Sequence, residues 1–157
     1  FTLSPGSTST KLAVFEDTEL VFKANVAHDP ERLKEFKEIK DQLLYRLETI
    51  EDELQKAGVD LKDMDAFAAY SGGLEPMTGG IYPVNEAVLK DSREGRTVKH
   101  PALLGSQIID SFSRQYGAAA YLVNPPDVDE FQDLARVTGI KGIYRESRVH
   151  VLNRARS

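Results

Sequence analysis

The residues best equipped for chemistry are Ser4-Pro5-Gly6-Ser7-Thr8-Ser9-Thr10-Lys11, where five hydroxyl side chains surround a Pro-Gly turn and end on a lysine. Apolar Phe1 and Leu3 precede this stretch and Leu12 and Val14 alternate after it, so it reads as a hairpin presenting polar groups between two strands. Clustered O–H and backbone N–H donors beside one cation suit a phosphate held without cysteines or a carboxylate-rich pocket. The spacing differs from the Gly-x-x-x-x-Gly-Lys-Ser/Thr loop that joins a strand to a helix. Ser, Thr, Pro and Gly are also common turn residues, so an ordinary hairpin loop is the competing reading.

The elements that must position this loop follow from periodicity. Phe1 to Ser4, Lys11 to Phe15 and Glu19 to Val26 alternate like three short strands, with Glu16-Asp17-Thr18 as a tight turn. Asp29-Pro30 reads as a cap and first turn of a helix running to Ala57, with Leu33, Phe36, Leu43, Leu47, Ile50 and Leu54 as its buried stripe and Gly58 as its stop. Met64 to Tyr70 is an apolar strand opening into Ser71-Gly72-Gly73. A loop region with Gly79-Gly80 and Pro83 precedes a short helical stretch over Glu86 to Asp91. His100-Pro101 begins a helix whose Leu104, Ile108, Phe112 and Tyr116 share a face, and Gly117 ends it. Ala119 to Val123 is a buried strand, and Asp127 to Thr138 a third amphipathic helix built on Val128, Phe131 and Leu134. The order β-β-β-α-β-α-β-α predicts an α/β domain with a mixed five-stranded sheet and helices packed on it. Ligand-binding loops are then expected at strand ends.

With 157 residues, 41% of them hydrophobic, the chain is long enough for one domain with a substantial core. Its formal charge of −5 argues against a general nucleic-acid binder, and it has no cysteine for thiol or disulfide chemistry. No apolar run approaches the ~20 residues of a membrane span, and no signal-peptide pattern is present, which makes the cytoplasm the expected compartment. Arg145 to Ser157 carries four arginines and starts a further helical pattern at Val149 and Leu152. These arginines read as a solvated helix face in a chain of acidic total. The expected organisation is a domain over residues 1–148, with 149–157 opening a crossover to a second domain.

Five ordered blocks carry a resemblance. Ser4-Pro5-Gly6-Ser7-Thr8-Ser9-Thr10-Lys11-Leu12-Ala13-Val14 is similar to the opening of butyrate kinases, Asn-Pro-Gly-Ser-Thr-Ser-Thr-Lys. Gly72-Gly73-Leu74, Gly79-Gly80-Ile81-Tyr82 and Val84-Asn85 resemble that family's next block. His100-Pro101-Ala102-Leu103-Leu104-Gly105 resembles its His-Ala-Ser-Asn-Leu-Gly. Ala120-Tyr121-Leu122-Val123-Asn124-Pro125 with Val128-Asp129-Glu130 resembles Ala-Tyr-Ile-Val-Asp-Pro with Val-Asp-Glu, and Val149-His150-Val151-Leu152-Asn153 resembles Phe-His-Ala-Leu-Asn.

The resemblance implies the actin-like ATPase fold, with its ribonuclease H-like sheet, and reversible phosphoryl transfer between ATP and a short-chain carboxylate. The products are ADP and an acyl phosphate. In that picture the hairpin residues Ser4, Gly6, Ser7, Thr8, Ser9 and Lys11 bind the phosphoryl group. His150 donates to its oxygens in the transition state, with Asn124 beside the reacting groups. Ser71, Gly72, Gly73 and His100 would line the substrate site, and Mg²⁺ would arrive bridging the ATP phosphates, with no metal held by the chain's own side chains. A homo-oligomer with no nucleic-acid or membrane partner is expected. Three positions depart from the family: Ser4 replaces an asparagine, Ser71 an arginine that would pair with the carboxylate, and Asn124 an aspartate. These changes keep open a second reading, a kinase-like phosphate- or nucleotide-binding regulatory module with impaired chemistry. His28 matches no block and reads as a hydrogen-bonded structural or surface residue, and His100 reads equally as a helix cap. Tyr70 and Tyr82 read as packing residues.

Overall fold

The computed structural model describes residues 1–95 and 99–147. His150, three of the four C-terminal arginines and the expected boundary at 148/149 lie outside the described residues. The chain begins with an antiparallel meander of β1 (Thr2–Pro5), β2 (Ser9–Glu16) and β3 (Glu19–Ala27), with Asp17 taking the left-handed turn position. The strands run further into the hairpin than their alternation suggests. Ser4 faces Lys11 and Pro5 faces Thr10 in the ladder, which leaves only Gly6, Ser7 and Thr8 as loop.

β4 (Ala66–Ala69) lies parallel to β1, and β6 (Ala119–Val123) lies parallel to β4. A further strand, β5 (Ile81–Pro83), pairs antiparallel with β6 at the sheet edge, so the order is β3-β2-β1-β4-β6-β5. The sheet therefore has six strands, not the expected five. β5 is three residues long, too short to display alternation, and its Pro83 is tolerated because it lies on an edge.

Two helices differ from their predicted extents. The stretch from Pro30 to Ala57 is broken into α1 (Pro30–Lys34), a 3₁₀ turn (Ile39–Gln42) and α2 (Leu43–Lys56). Glu38 is extended and forms a capping box with Asp41, whose carboxylate accepts from the Glu38 amide at 3.0 Å, so helix restarts there. Phe36 leaves the helical stripe to pack on Tyr45 at 5.8 Å between ring centres. The predicted helix over 127–138 reduces to α5 (Asp133–Arg136). Val128 is buried by a parallel bridge to Met77, not by a helical face, and Leu134 is 85% exposed. The remaining helices are α3 (Glu86–Glu94), ended by Gly95, and α4 (Leu104–Tyr116), ended by Gly117 in the left-handed region.

One sheet face carries Leu3, Leu12, Val14, Phe67 and Leu122 onto Ile50 and Leu54 of α2 and Ile108, Ile109 and Phe112 of α4. Phe1, Phe67 and Phe112 meet in edge and tilted contacts at 5.8–6.0 Å. The opposite face is floored by small residues, Ala13 and Ala68 among them, and holds a shallow groove of about 330 Å³. Among the described residues, no helix is long and apolar enough to cross a membrane.

Candidate functional site: a hydroxyl-rich hairpin over a buried arginine

β1, β4 and β6 run parallel, so their carboxyl ends lie along one edge of the sheet. The hairpin leaves the first, Tyr70-Ser71-Gly72-Gly73 the second and Asn124 the third. The groove on the open sheet face is lined by Ser4, Lys11, Tyr70 and Val123, which brings hairpin residues together with the end of β4. Burial first, and the charge of Asp127 second, hold the Tyr70 hydroxyl above the usual phenol range. Asp127 is itself buried.

The hairpin turn is closed by the Gly6 amide donating to the Ser9 carbonyl at 2.7 Å. Ser7 and Thr8 are exposed at its tip. Among the described residues, neither the Ser7 and Thr8 amides nor the hydroxyls of Ser4, Ser7, Thr8 and Ser9 make a hydrogen bond, and Lys11 makes no ion pair. The loop thus offers several donors and one cation on a single turn.

Arg46 lies beneath the turn, fully buried. Its Nη1 donates to the Gly6 carbonyl at 3.0 Å and to Thr10 Oγ1 at 3.3 Å; its Nη2 donates to the Ser7 carbonyl at 3.1 Å. Gln42 Oε1 accepts from Nε and Nη2 at 3.1 and 3.0 Å. No carboxylate joins the set, and burial pushes the guanidinium down to about 10. The buried Thr10 hydroxyl also meets His28 Nε2 at 2.8 Å. The Thr10 hydroxyl, which accepts from Arg46, is thus shared between the arginine and the His28 ring.

No protein-family model matches the chain. It is 39% identical over 152 residues to butyrate kinase 2 of Clostridium acetobutylicum, which covers 97% of the chain and 43% of that relative. It is 37% identical over 151 residues to the probable butyrate kinase 2 of Caldanaerobacter subterraneus subsp. tengcongensis, and 39% over 152 residues to the probable butyrate kinase of Coprothermobacter proteolyticus. The chain is similar to butyrate kinases over nearly all of its own length. It spans 43% of the length of each of these three relatives, so the likeness embraces this chain almost entirely and each of them in part.

The three positions expected to depart from the butyrate kinase pattern occupy different environments. Ser4 lines the open groove. Ser71 is 0% exposed; its hydroxyl donates to the Ala102 carbonyl at 2.8 Å and accepts from the Ser106 amide at 3.0 Å, anchoring the start of α4. Asn124 sits in the left-handed region (φ 42°), where its Oδ1 accepts from the Gly80 amide and its own amide donates to the Gly80 carbonyl, both at 2.9 Å. Glu130 accepts from Gly79 at 2.7 Å, so the Gly-Gly loop is clamped from two sides. Gly72 is buried against Pro126; a Cβ there would come within 2.5 Å of the Pro126 ring. Gly73 is also buried, and neither glycine lines the groove. His100 caps the 3₁₀ turn before α4, its Nδ1 accepting from the Ala102 amide at 3.0 Å, while the residue stays exposed. Among the described residues, no group of three or more acidic or histidine side chains is arranged to hold a metal.

Sequence reasoning missed Arg46 and treated His28 as a bystander. A charged residue amid mixed charges reads as solvated, yet Arg46, Ile50 and Leu54 follow one another at intervals of four and are the buried residues of α2. Their spacing was the available signal. Burial first, and the nearby Arg46 charge second, push His28 down to about 4. Its neutral form is thus favoured in the folded protein, while the unfolded chain takes up a proton near pH 6.5. Stability from this residue is complete above about pH 6.5 and is lost as pH falls toward 4, by up to about 3 kcal/mol. Denaturant melts of wild type and H28Q from pH 7 to 4 are expected to converge by that amount. Parallel pH profiles would contradict the assignment.

Proposed function

We propose that the whole protein is a carboxylate kinase of the butyrate type. A carboxylate oxygen of a short-chain fatty acid such as butanoate attacks the γ-phosphorus of Mg²⁺–ATP. The bond to the β–γ bridging oxygen breaks, and acyl phosphate and ADP leave without any net proton transfer. The observation that carries this reading is the hairpin: exposed, unpaired N–H and O–H donors beside Lys11, on a chain alike to butyrate kinases over nearly its full length. Phosphoryl transfer needs positioning and charge neutralisation more than covalent participation, and such a turn supplies both.

In this reading Ser7, Ser9, Thr8 and the turn amides hold the phosphoryl oxygens, with Ser4 and Lys11 flanking them in the groove. The meander followed by parallel strands in the order β3-β2-β1-β4-β6 supports an actin-like sheet. We assign 1–148 to the phosphate-binding domain and 149–157, with His150, to the passage toward the nucleotide-binding part. ATP supply makes the cytoplasm the natural compartment. Exposed Leu134, Ile140, Ile143 and Tyr144 favour a homo-oligomer.

One observation favours the second reading, a phosphate-binding module with reduced chemistry. The Ser71 hydroxyl and the Asn124 Oδ1, at positions where the family's charged groups would act, are engaged in internal bonds. A crystal structure of the whole protein with ADP, Mg²⁺, aluminium fluoride and butanoate separates the two. The kinase reading expects the planar fluoride on the Ser7 and Thr8 amides with the carboxylate in line. Fluoride bound away from the hairpin contradicts both readings, and fluoride on the hairpin with no carboxylate in line favours the module.

A further inference from the structure

The hairpin carbonyls give Arg46 a task that neither packing nor substrate contact describes. A trans peptide holds its C=O and N–H on opposite sides, and no cis peptide occurs among the described residues. The Gly6 carbonyl belongs to the same peptide as the Ser7 amide, and the Ser7 carbonyl to the same peptide as the Thr8 amide. Both carbonyls point inward at the Arg46 guanidinium, at 3.0 and 3.1 Å. The Ser7 and Thr8 N–H groups must therefore point outward, and both lack partners among the described residues.

We propose that Arg46 is a positioning residue for anion binding: by gripping two successive carbonyls from below, it turns two successive amides toward a phosphate on the outer face of the hairpin. This rests on the phosphate reading of the hairpin given above. The guanidinium fork fits the task because its nitrogens reach both carbonyls while Gln42 fixes its other edge. Its positive charge withdraws electron density from the two peptides and strengthens their N–H donors. The same charge also lies beneath the anion with no carboxylate to neutralise it. Burying an unpaired guanidinium is costly, and a neutral amide could close the turn at a lower desolvation cost. The retained charge is therefore assigned to the ligand.

The test is titration of the 157-residue chain with inorganic phosphate, following the amide resonances of Ser7 and Thr8. In wild type both are expected to move while those of Leu12 and Val14 in the ladder stay still. R46M should weaken phosphate binding about 10- to 100-fold, the range for losing hydrogen bonds to a charged group. R46K, which keeps the charge but not the fork, should fall between the two, with a folded circular dichroism spectrum. If R46M does not fold, R46K carries the test alone. R46K with wild-type affinity and wild-type amide shifts overturns the role of Arg46 and leaves the phosphate site standing. No movement of the hairpin amides in wild type overturns the phosphate reading, and this inference with it.

Discussion

Replacing Ser71 with arginine, the residue that butyrate kinases are expected to carry there, should strongly destabilise this protein, not improve it. Ser71 is completely buried, and its one hydroxyl serves both the Ala102 carbonyl and the Ser106 amide. The space beyond it is closed: a Cβ on Gly105 would already stand 2.9 Å from the Ser71 Cβ and 3.1 Å from the Tyr70 carbonyl. An arginine would have to displace the start of α4 or bury a guanidinium with no carboxylate to meet it. Overpacking and an unpaired buried charge together are expected to cost about 4–6 kcal/mol, a large part of the roughly 5–15 kcal/mol that holds a domain together. S71A, which keeps the space and loses the two bonds, should cost only about 1–2 kcal/mol. Urea melts of the three proteins check this ordering; S71R melting with wild type would show that position 71 can open toward the groove. In the kinase reading, a carboxylate would have to be recognised elsewhere, because the side chain at 71 in this chain does not reach solvent.

The meander, the parallel strands and α4 were legible because each announces itself locally. Alternation marks β1 to β3, an apolar run marks β4 and β6, and Gly117 ends α4 where its apolar face stops. What escaped was decided by distant contacts. β5 exists only because Ile81–Pro83 meets the free edge of β6. The helical pattern over 127–138 dissolved because Val128 is buried by Met77 and Asp129 is held by Arg136 at 2.6 Å. For the site, the hairpin donors could be read from residue type, since exposed hydroxyls and glycine need no partner to be recognised. Arg46 could not be read that way. Its meaning lies in carbonyls forty residues earlier, and a helix of mixed charge conceals one cation that turns inward.

The second large effect concerns Lys11. It stands opposite Ser4 in the β1–β2 ladder, lines the groove and has no ion-pair partner among the described residues, so its ammonium is available to a phosphoryl oxygen. Removing a charge that acts mainly in the transition state typically costs about 10²–10³-fold in turnover. K11M should show that loss while the fold is untouched, because Lys11 is exposed. Arg46 continues to hold the turn in this variant, so the loss should appear in kcat more than in the KM for ATP.

Hydroxylamine trapping of acyl phosphate by the whole protein, supplied with Mg²⁺–ATP and butanoate, measures this most directly. The expected result is butyryl hydroxamate from wild type and about 10²–10³-fold less from K11M at unchanged thermal stability. Wild-type rates from K11M, or no acyl hydroxamate from wild type with any short-chain carboxylate, would contradict the assignment of this hairpin to phosphoryl transfer.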